Sequence, residues 1–212
     1  MSESSPEQAG WLKWARELQA IAQNGLHFTQ DSYDRNRYEA VRAIAAQMMA
    51  LGADAAVKTV AGLFSAQSGY ATPKVDTRGV VFRGEEILLV REAQDGLWTL
   101  PGGWADPNES PSESVTREIR EEAGFETRAV KLLAALDREK QGHTPVYAFH
   151  VYKLFIACEI VSGEARPSTE TLEVAFFPED GIPELSLARV TPDQIARCFE
   201  HRRHPEWAAD FD

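Results

Sequence analysis

Through the first 65 residues, apolar positions recur at spacings of three and four. Trp11, Trp14, Ala15, Leu18, Ile21 and Ala22 line one helix that Gly25 can stop, and Tyr38, Val41, Ile44, Ala45, Met48 and Leu51 line a second ahead of Gly52. Val57, Val60, Ala61 and Phe64 line a shorter third. Two or three short helices expose more apolar surface than they can hide among themselves. Packing on the rest of the chain or on a partner is therefore expected, with dimerisation the simpler expectation. The small, polar "SAQSGYATP" reads as a linker. Beyond it, "DTRGVVF" and "EILLVRE", joined by "RGE", predict a hairpin, and "PVYAFHVYKLFIACEIV" has the aromatic and β-branched enrichment of a later strand or strand pair. A final helix is predicted from Thr191, which can cap it, with Pro192 in its first turn and Ile195, Cys198 and Phe199 on its apolar face. The class is α+β: a small helical N-terminal domain at 1–65, a linker at 66–74 and a second domain at 75–212.

The stretch "LPGGWADPNESPSESVTREIREEAGFE" carries six glutamates. Ser110, Pro111 and Glu113 form a capping box with proline at the first helical position, and Gly124 suits a left-handed end, so a helix is predicted over 111–123. Val115, Ile119 and Ala123 give it one narrow apolar stripe. Beside that stripe, Glu118, Glu121 and Glu122 fall within an arc of roughly 100°. Such crowding is costly unless a cation relieves it. A hard divalent ion such as Mg²⁺ takes oxygen ligands and keeps positions open for phosphates, and the glycines of "PGG" let backbone approach closely. The alternative is a solvated glutamate face, which the carboxylates' place at the border of the buried stripe disfavours.

Bulk properties narrow the picture. With 212 residues, 43% of them hydrophobic, the chain can bury a core. A formal net charge of -11 disfavours binding to nucleic acid, which needs a basic patch, but a small anionic ligand can be held through a metal. Cys158 and Cys198 lie far apart, without the spacing of a zinc site or a disulfide framework, and suit a reducing cytoplasm. The opening "MSESSPEQAG" lacks a basic start followed by an apolar run, and no membrane span is expected.

Gly103, five residues, Glu109, seven residues, then "REIREEAGF" from Arg117 to Phe125 resembles the Nudix box at every fixed position. The resemblance covers about residues 75–205. It implies an α/β/α sandwich with a mixed β-sheet, and hydrolysis of a nucleoside diphosphate linked to another moiety. Carried over, it makes Glu118, Glu121 and Glu122 ligands of Mg²⁺ or Mn²⁺, with the Gly103 carbonyl a further contact. Arg117 orients the cluster and Glu109 braces Arg117. Nudix enzymes often add a glutamate from a late loop, for which Glu170 and Glu173 are available. The general base stays open among Glu122, Glu118 and Glu170.

"GGWADPNESPSE", "KLLAALDREKQGH", "YKLFIACEI" and "EVAFFPEDGIPELSLARVTPDQI" look like the Nudix branch with a helical N-terminal domain, whose members are dimers and include CDP-choline and ADP-ribose pyrophosphatases. "DPNES" departs from it where a glycine is frequent, while keeping Glu109. Around the site, Trp98 and Trp104 either stack on a base or pack at the turn. Asp137, Arg138, Lys140 and His143 form a polar loop that either reaches the leaving group or is simply solvated. The basic "HRRHPEW" suits the end of the last helix. Two other readings remain: a nucleotide-sensing module without hydrolysis, which could dispense with the glutamates retained here, and an RNA-processing enzyme, which the net charge disfavours.

Overall fold

A computed structural model describes residues 10–212 of the chain. Residues 1–9, and with them nearly all of the opening "MSESSPEQAG" and the start of the proposed N-terminal domain, lie outside the described residues. The chain divides into two compact units. One runs through to Pro73 and takes in Val146–His150; the other comprises Lys74–Pro145 and Val151–Asp212.

The first unit holds α1 (Gly10–Phe28), α2 (Ser32–Gly52) and α3 (Val57–Ser65). Asp31 caps α2, accepting from the Asp34 amide at 2.9 Å. Contrary to the predicted stop, α1 continues through Gly25. An interior glycine costs a helix only about 1 kcal/mol, and here its missing side chain is used in packing. A Cβ at Gly25 would lie 2.4 Å from the Tyr38 ring, and one at Gly52 would lie 2.2 Å from the Trp11 ring. The buried stripe also differs from the predicted one. It consists of Leu12, Ala15, Ala22, Ala45, Ala46, Met49 and Ala50 with Val60 and Phe64, while Trp14, Ile21, Ile44 and Leu51 are exposed. Small residues let two helices approach closely, so the larger apolar residues are left outside. Phe149 completes this core, its ring centroid 6.4 Å from that of Phe64.

The second unit is built on a mixed sheet of β1 (Lys74–Arg83), β2 (Glu86–Glu92), β3 (Trp98–Thr99), β4 (Phe125–Asp137), β5 (Val151–Gly163), β6 (Thr171–Pro178) and β7 (Asp210–Phe211). The order is β3-β2-β1-β5-β4-β7, with β6 paired to β2. The β1–β5 and β4–β7 pairs are parallel and the others antiparallel. Two further helices, α4 (Pro111–Ala123) and α5 (Pro192–Arg203), cover opposite faces. Val115, Ile119 and Ala123 of α4 pack on Val81, Leu88, Val90 and Ile156. Ile195, Cys198 and Phe199 of α5 pack on Val80, Leu89, Leu133 and Phe155. The result is the α/β/α sandwich. Thr191 caps α5 in a capping box with Gln194. Strand β5 begins only at Val151, because residues 146–150 belong to the other unit. Among the described residues, no helix is long and apolar enough to cross a membrane.

Candidate active site

Helix α4 occupies the predicted span. The Ser110 hydroxyl accepts from the Glu113 amide, the Glu113 carboxylate returns to the Ser110 amide at 2.8 Å, and Gly124 closes the helix at φ +82°. Burial of Val115, Ile119 and Ala123 fixes the helix's rotation, which places Glu118, Glu121 and Glu122 along the margin of the sheet.

Arg117 gathers the acids. Its Nε and Nη2 donate to the two carboxylate oxygens of Glu109 at 2.8 and 2.9 Å, and Nη1 donates to Glu118 at 2.9 Å and Glu121 at 3.2 Å. The expected Glu109–Arg117 brace is thus bidentate, the geometry a guanidinium provides and an ammonium does not. This contact holds the Glu109 carboxyl below its ordinary range.

The Leu100–Trp104 turn lies against this cluster. Pro101 and Gly103 offer their carbonyls to the Gly79 and Thr77 amides of β1, each at 2.8 Å. Between them, the Gly102 amide donates to Glu122 Oε2 at 2.8 Å. Gly102 has φ +142°, and a Cβ there would fall 2.0 Å from the Thr77 carbonyl oxygen. At Gly103 a Cβ would lie 3.1 Å from Glu118 Oε1. One glycine is required by the backbone, the other by closeness to an acid. Burial raises Glu122 to about 8, against the pull of Arg78 and the Gly102 N–H, and burial likewise raises Glu118 against Arg117. A bound cation would reverse both shifts.

Glu92 joins this group and was not singled out from the sequence. It continues the face of β2 that carries Leu88 and Val90 toward α4, is 8% exposed, and is raised by burial despite Arg189, whose Nε lies 3.1 Å from its carboxylate. An acid just past a continuous apolar run was the available signal. Of the late glutamates, Glu170 lies beside Glu92: its carbonyl accepts from Ala93 at 2.8 Å and its charge acts on Glu92. Glu173 is exposed and paired with Arg91 at 3.2 Å. The Thr171 hydroxyl ties the start of β6 to the Glu122 carbonyl at 2.8 Å. With Glu118 and Glu121 turned onto Arg117, no three His, Cys, Asp or Glu side chains among the described residues are gathered closely enough to hold an ion as they stand.

Behind the turn is a buried trio. Asp76 accepts from Arg78 at 2.8 and 2.7 Å and from Lys153 at 2.7 Å. Burial would raise Asp76, but the two cations hold it down at about 2. Burial lowers Lys153 to about 8. Trp98 packs edge-on against Phe177, ring centroids 4.8 Å apart, and Trp104 is 44% exposed. The loop after β4 is not simply solvated: Arg138 and His143 are buried. His143 Nδ1 lies 2.9 Å from the Leu187 carbonyl and Nε2 3.1 Å from the Gln194 amide.

Two family models match the chain: a UDP-X-like N-terminal oligomerisation domain over residues 9–64, and the NUDIX domain over residues 73–198. A Bacillus subtilis (strain 168) protein provisionally named an ADP-ribose pyrophosphatase is 46% identical over 205 residues, which is 97% of this chain and 98% of that protein. The crystal structure of an ADP-ribose pyrophosphatase from Streptococcus suis 89-1591 is 42% identical with a TM-score of 0.61, covering 66% of this chain and 100% of that one. That of a UDP-X diphosphatase is 31% identical with a TM-score of 0.62, covering 96% and 98%.

Proposed function

The chain belongs to the Nudix family, and we propose that it is a divalent-metal-dependent pyrophosphohydrolase. Its substrate is a nucleoside diphosphate linked to a further moiety, of the ADP-ribose or CDP-choline class, and its products are a nucleoside monophosphate and a phosphorylated remainder. The supporting observation is the pair of desolvated α4 carboxylates, Glu118 and Glu122, held against a glycine turn. Glu118 and Glu122 are pushed toward protonation by burial, a cost that a cation in their midst removes. The names of the Bacillus and Streptococcus relatives favour ADP-ribose over CDP-choline.

The donors suit Mg²⁺ or Mn²⁺ chemically, since all are carboxylate or carbonyl oxygens. Glu118, Glu121 and Glu122 would hold the ion through carboxylate lone pairs that Arg117 and the Gly102 N–H do not engage. The Gly103 carbonyl, which gives one lone pair to Thr77, has a second available. The chemistry supplied by the bound ion is Lewis acidity and neutralisation of charge on the diphosphate. Arg117 keeps Glu118 and Glu121 on one side of α4. The Gly102 N–H orients Glu122. A carboxylate among Glu122, Glu118 and Glu170 takes the proton of the attacking water.

We assign the N-terminal segment 1–65, whose described part carries α1 to α3, to self-association as a homodimer, 66–74 to a linker and 75–212 to catalysis. The family model for the first segment supports this assignment, as do the exposed Trp14, Ile21 and Phe28 at seven-residue intervals on α1. Buried, unpaired Cys158 and Cys198 suit a cytoplasmic setting. The test is a panel of ADP-ribose, CDP-choline, nucleotide sugars and nucleoside triphosphates with Mg²⁺ or Mn²⁺, scored by monophosphate release. ADP-ribose cleavage that disappears in folded Glu122→Gln is the expected result. Wild-type activity in that variant would remove the metal-site assignment, and binding without cleavage by the native chain would favour a sensor.

A further inference from the structure

We infer that Arg78 is a positioning residue for the hydrolytic centre, acting on the Leu100–Gly103 turn and through it on Glu122. This rests on the assignment of the α4 carboxylates as that centre. Arg78 is 5% exposed in the middle of β1. Two of its nitrogens, Nε and Nη2, grip Asp76 at 2.8 and 2.7 Å. Asp76 is itself held by Lys153, its direct partner in the β1–β5 register, at 2.7 Å. The guanidinium is therefore fixed from behind, and Nη1 is presented to the Leu100 carbonyl at 3.2 Å. The next carbonyls of the turn, on Pro101 and Gly103, are taken by β1 amides. With these carbonyls committed to β1, the Gly102 amide is turned outward to Glu122. Arg78 thus anchors the first residue of a rigid turn that presents one N–H to one carboxylate.

Charge points the same way. Asp76, Arg78 and Lys153 together carry one excess positive charge, all three nearly inaccessible to water. A buried ion pair of Asp76 with Lys153 would be neutral without Arg78, so the third member adds a charge that needs its own compensation. Glu122 and Glu92 both lie within electrostatic reach of Arg78. The excess faces the acids of the site. The planar fork suits this task because it can bind one carboxylate with two nitrogens and still offer a third to a carbonyl; a lysine ammonium at this position has no such fork.

The experiment compares Arg78→Met, Arg78→Lys, Asp76→Asn and the Asp76→Asn/Arg78→Met double variant with the native chain. It measures kcat and KM on the best substrate of the panel, and amide hydrogen exchange of the Leu100–Gly103 segment without metal or substrate. Arg78→Met is expected to lower kcat about 10- to 100-fold with KM changed less than about 3-fold, the signature of misplaced groups rather than lost binding. Exchange at the turn should accelerate while the first turns of α4 stay protected. Arg78→Lys should recover part of kcat. Asp76→Asn should lower it too, and the double variant should be no worse than Arg78→Met, because Asp76 acts through Arg78. Folded Arg78→Met with native kcat and native exchange at the turn overturns the inference. Should Arg78→Met not fold, native values in both Arg78→Lys and Asp76→Asn overturn it. A native chain inert on the whole panel defeats the proposed function instead, and the exchange measurement then judges the anchoring of the turn on its own.

Discussion

Gly102 and Gly103 are neighbours with different reasons to be glycine, and alanine at each should separate the two. At Gly102 the new Cβ would meet the Thr77 carbonyl oxygen at 2.0 Å and the Arg78 Cα at 2.9 Å, at φ +142°. Both obstacles are backbone, so nothing can rotate away. Strain in that region of φ costs about 1–3 kcal/mol, and forced displacement of packed atoms adds about 1–3 kcal/mol. Gly102→Ala should therefore lose roughly 2–6 kcal/mol, or about 4–24 °C in Tm for a chain of this size. It should also lose about 100-fold in kcat as the Gly102 N–H leaves Glu122. At Gly103 the nearest atoms are the carboxylate of Glu118 at 3.1–3.3 Å, the end of a flexible side chain. Gly103→Ala should cost less than about 1 kcal/mol while still lowering kcat, because it displaces Glu118. Thermal or urea unfolding beside steady-state kinetics reads both quantities. Equal stability loss in the two variants, or a Gly102→Ala protein as stable as the native chain, would refute the reasoning.

Two further outcomes follow from the site and its surroundings. Arg117→Lys keeps the charge but cannot grip Glu109 with two nitrogens while also serving Glu118 and Glu121, so kcat should fall about 10-fold; unchanged kcat would show that charge alone suffices. Burial lowers His143 from 6.5 to about 4, so between those values the unfolded chain binds a proton that the folded chain refuses. Stability should fall as pH drops through this window, by about 3 kcal/mol in all. His143→Asn, which cannot titrate and can still donate to the Leu187 carbonyl, should flatten urea-derived stability over that range, and a native-like slope in the variant would contradict it.

Local signals carried far. The Ser110 box, Pro111 and Gly124 bracket α4 without help from the rest of the chain, and the two apolar segments joined by "RGE" yield β1 and β2. The Glu109–Arg117 brace was legible through the resemblance to the Nudix box, since Glu109 precedes α4 and no helical spacing links it to Arg117. Glu92 and the Asp76–Arg78–Lys153 trio were not, because strand pairing and the two faces of a sheet bring them together rather than any spacing along the chain. The same limit explains α1 and α2. Apolar periodicity showed that a face existed but could not tell that alanines would take the inside and Trp14, Ile21, Ile44 and Leu51 the outside. His143 and Arg138 looked like loop residues because their polarity is obvious in the sequence and their buried partners are not.

The two glycines of the helical pair also work as a key. Trp11 and Gly25 stand fourteen residues apart on α1, and Tyr38 and Gly52 stand fourteen apart on α2, about 21 Å along each axis. Each helix therefore carries one peg and one notch at matching intervals, and the antiparallel pair engages both at once. Sliding either helix by a turn would drive two rings onto positions that carry side chains. The alanine-rich seam between these helices is nearly uniform and could otherwise tolerate several alignments; the paired pegs and notches leave it one.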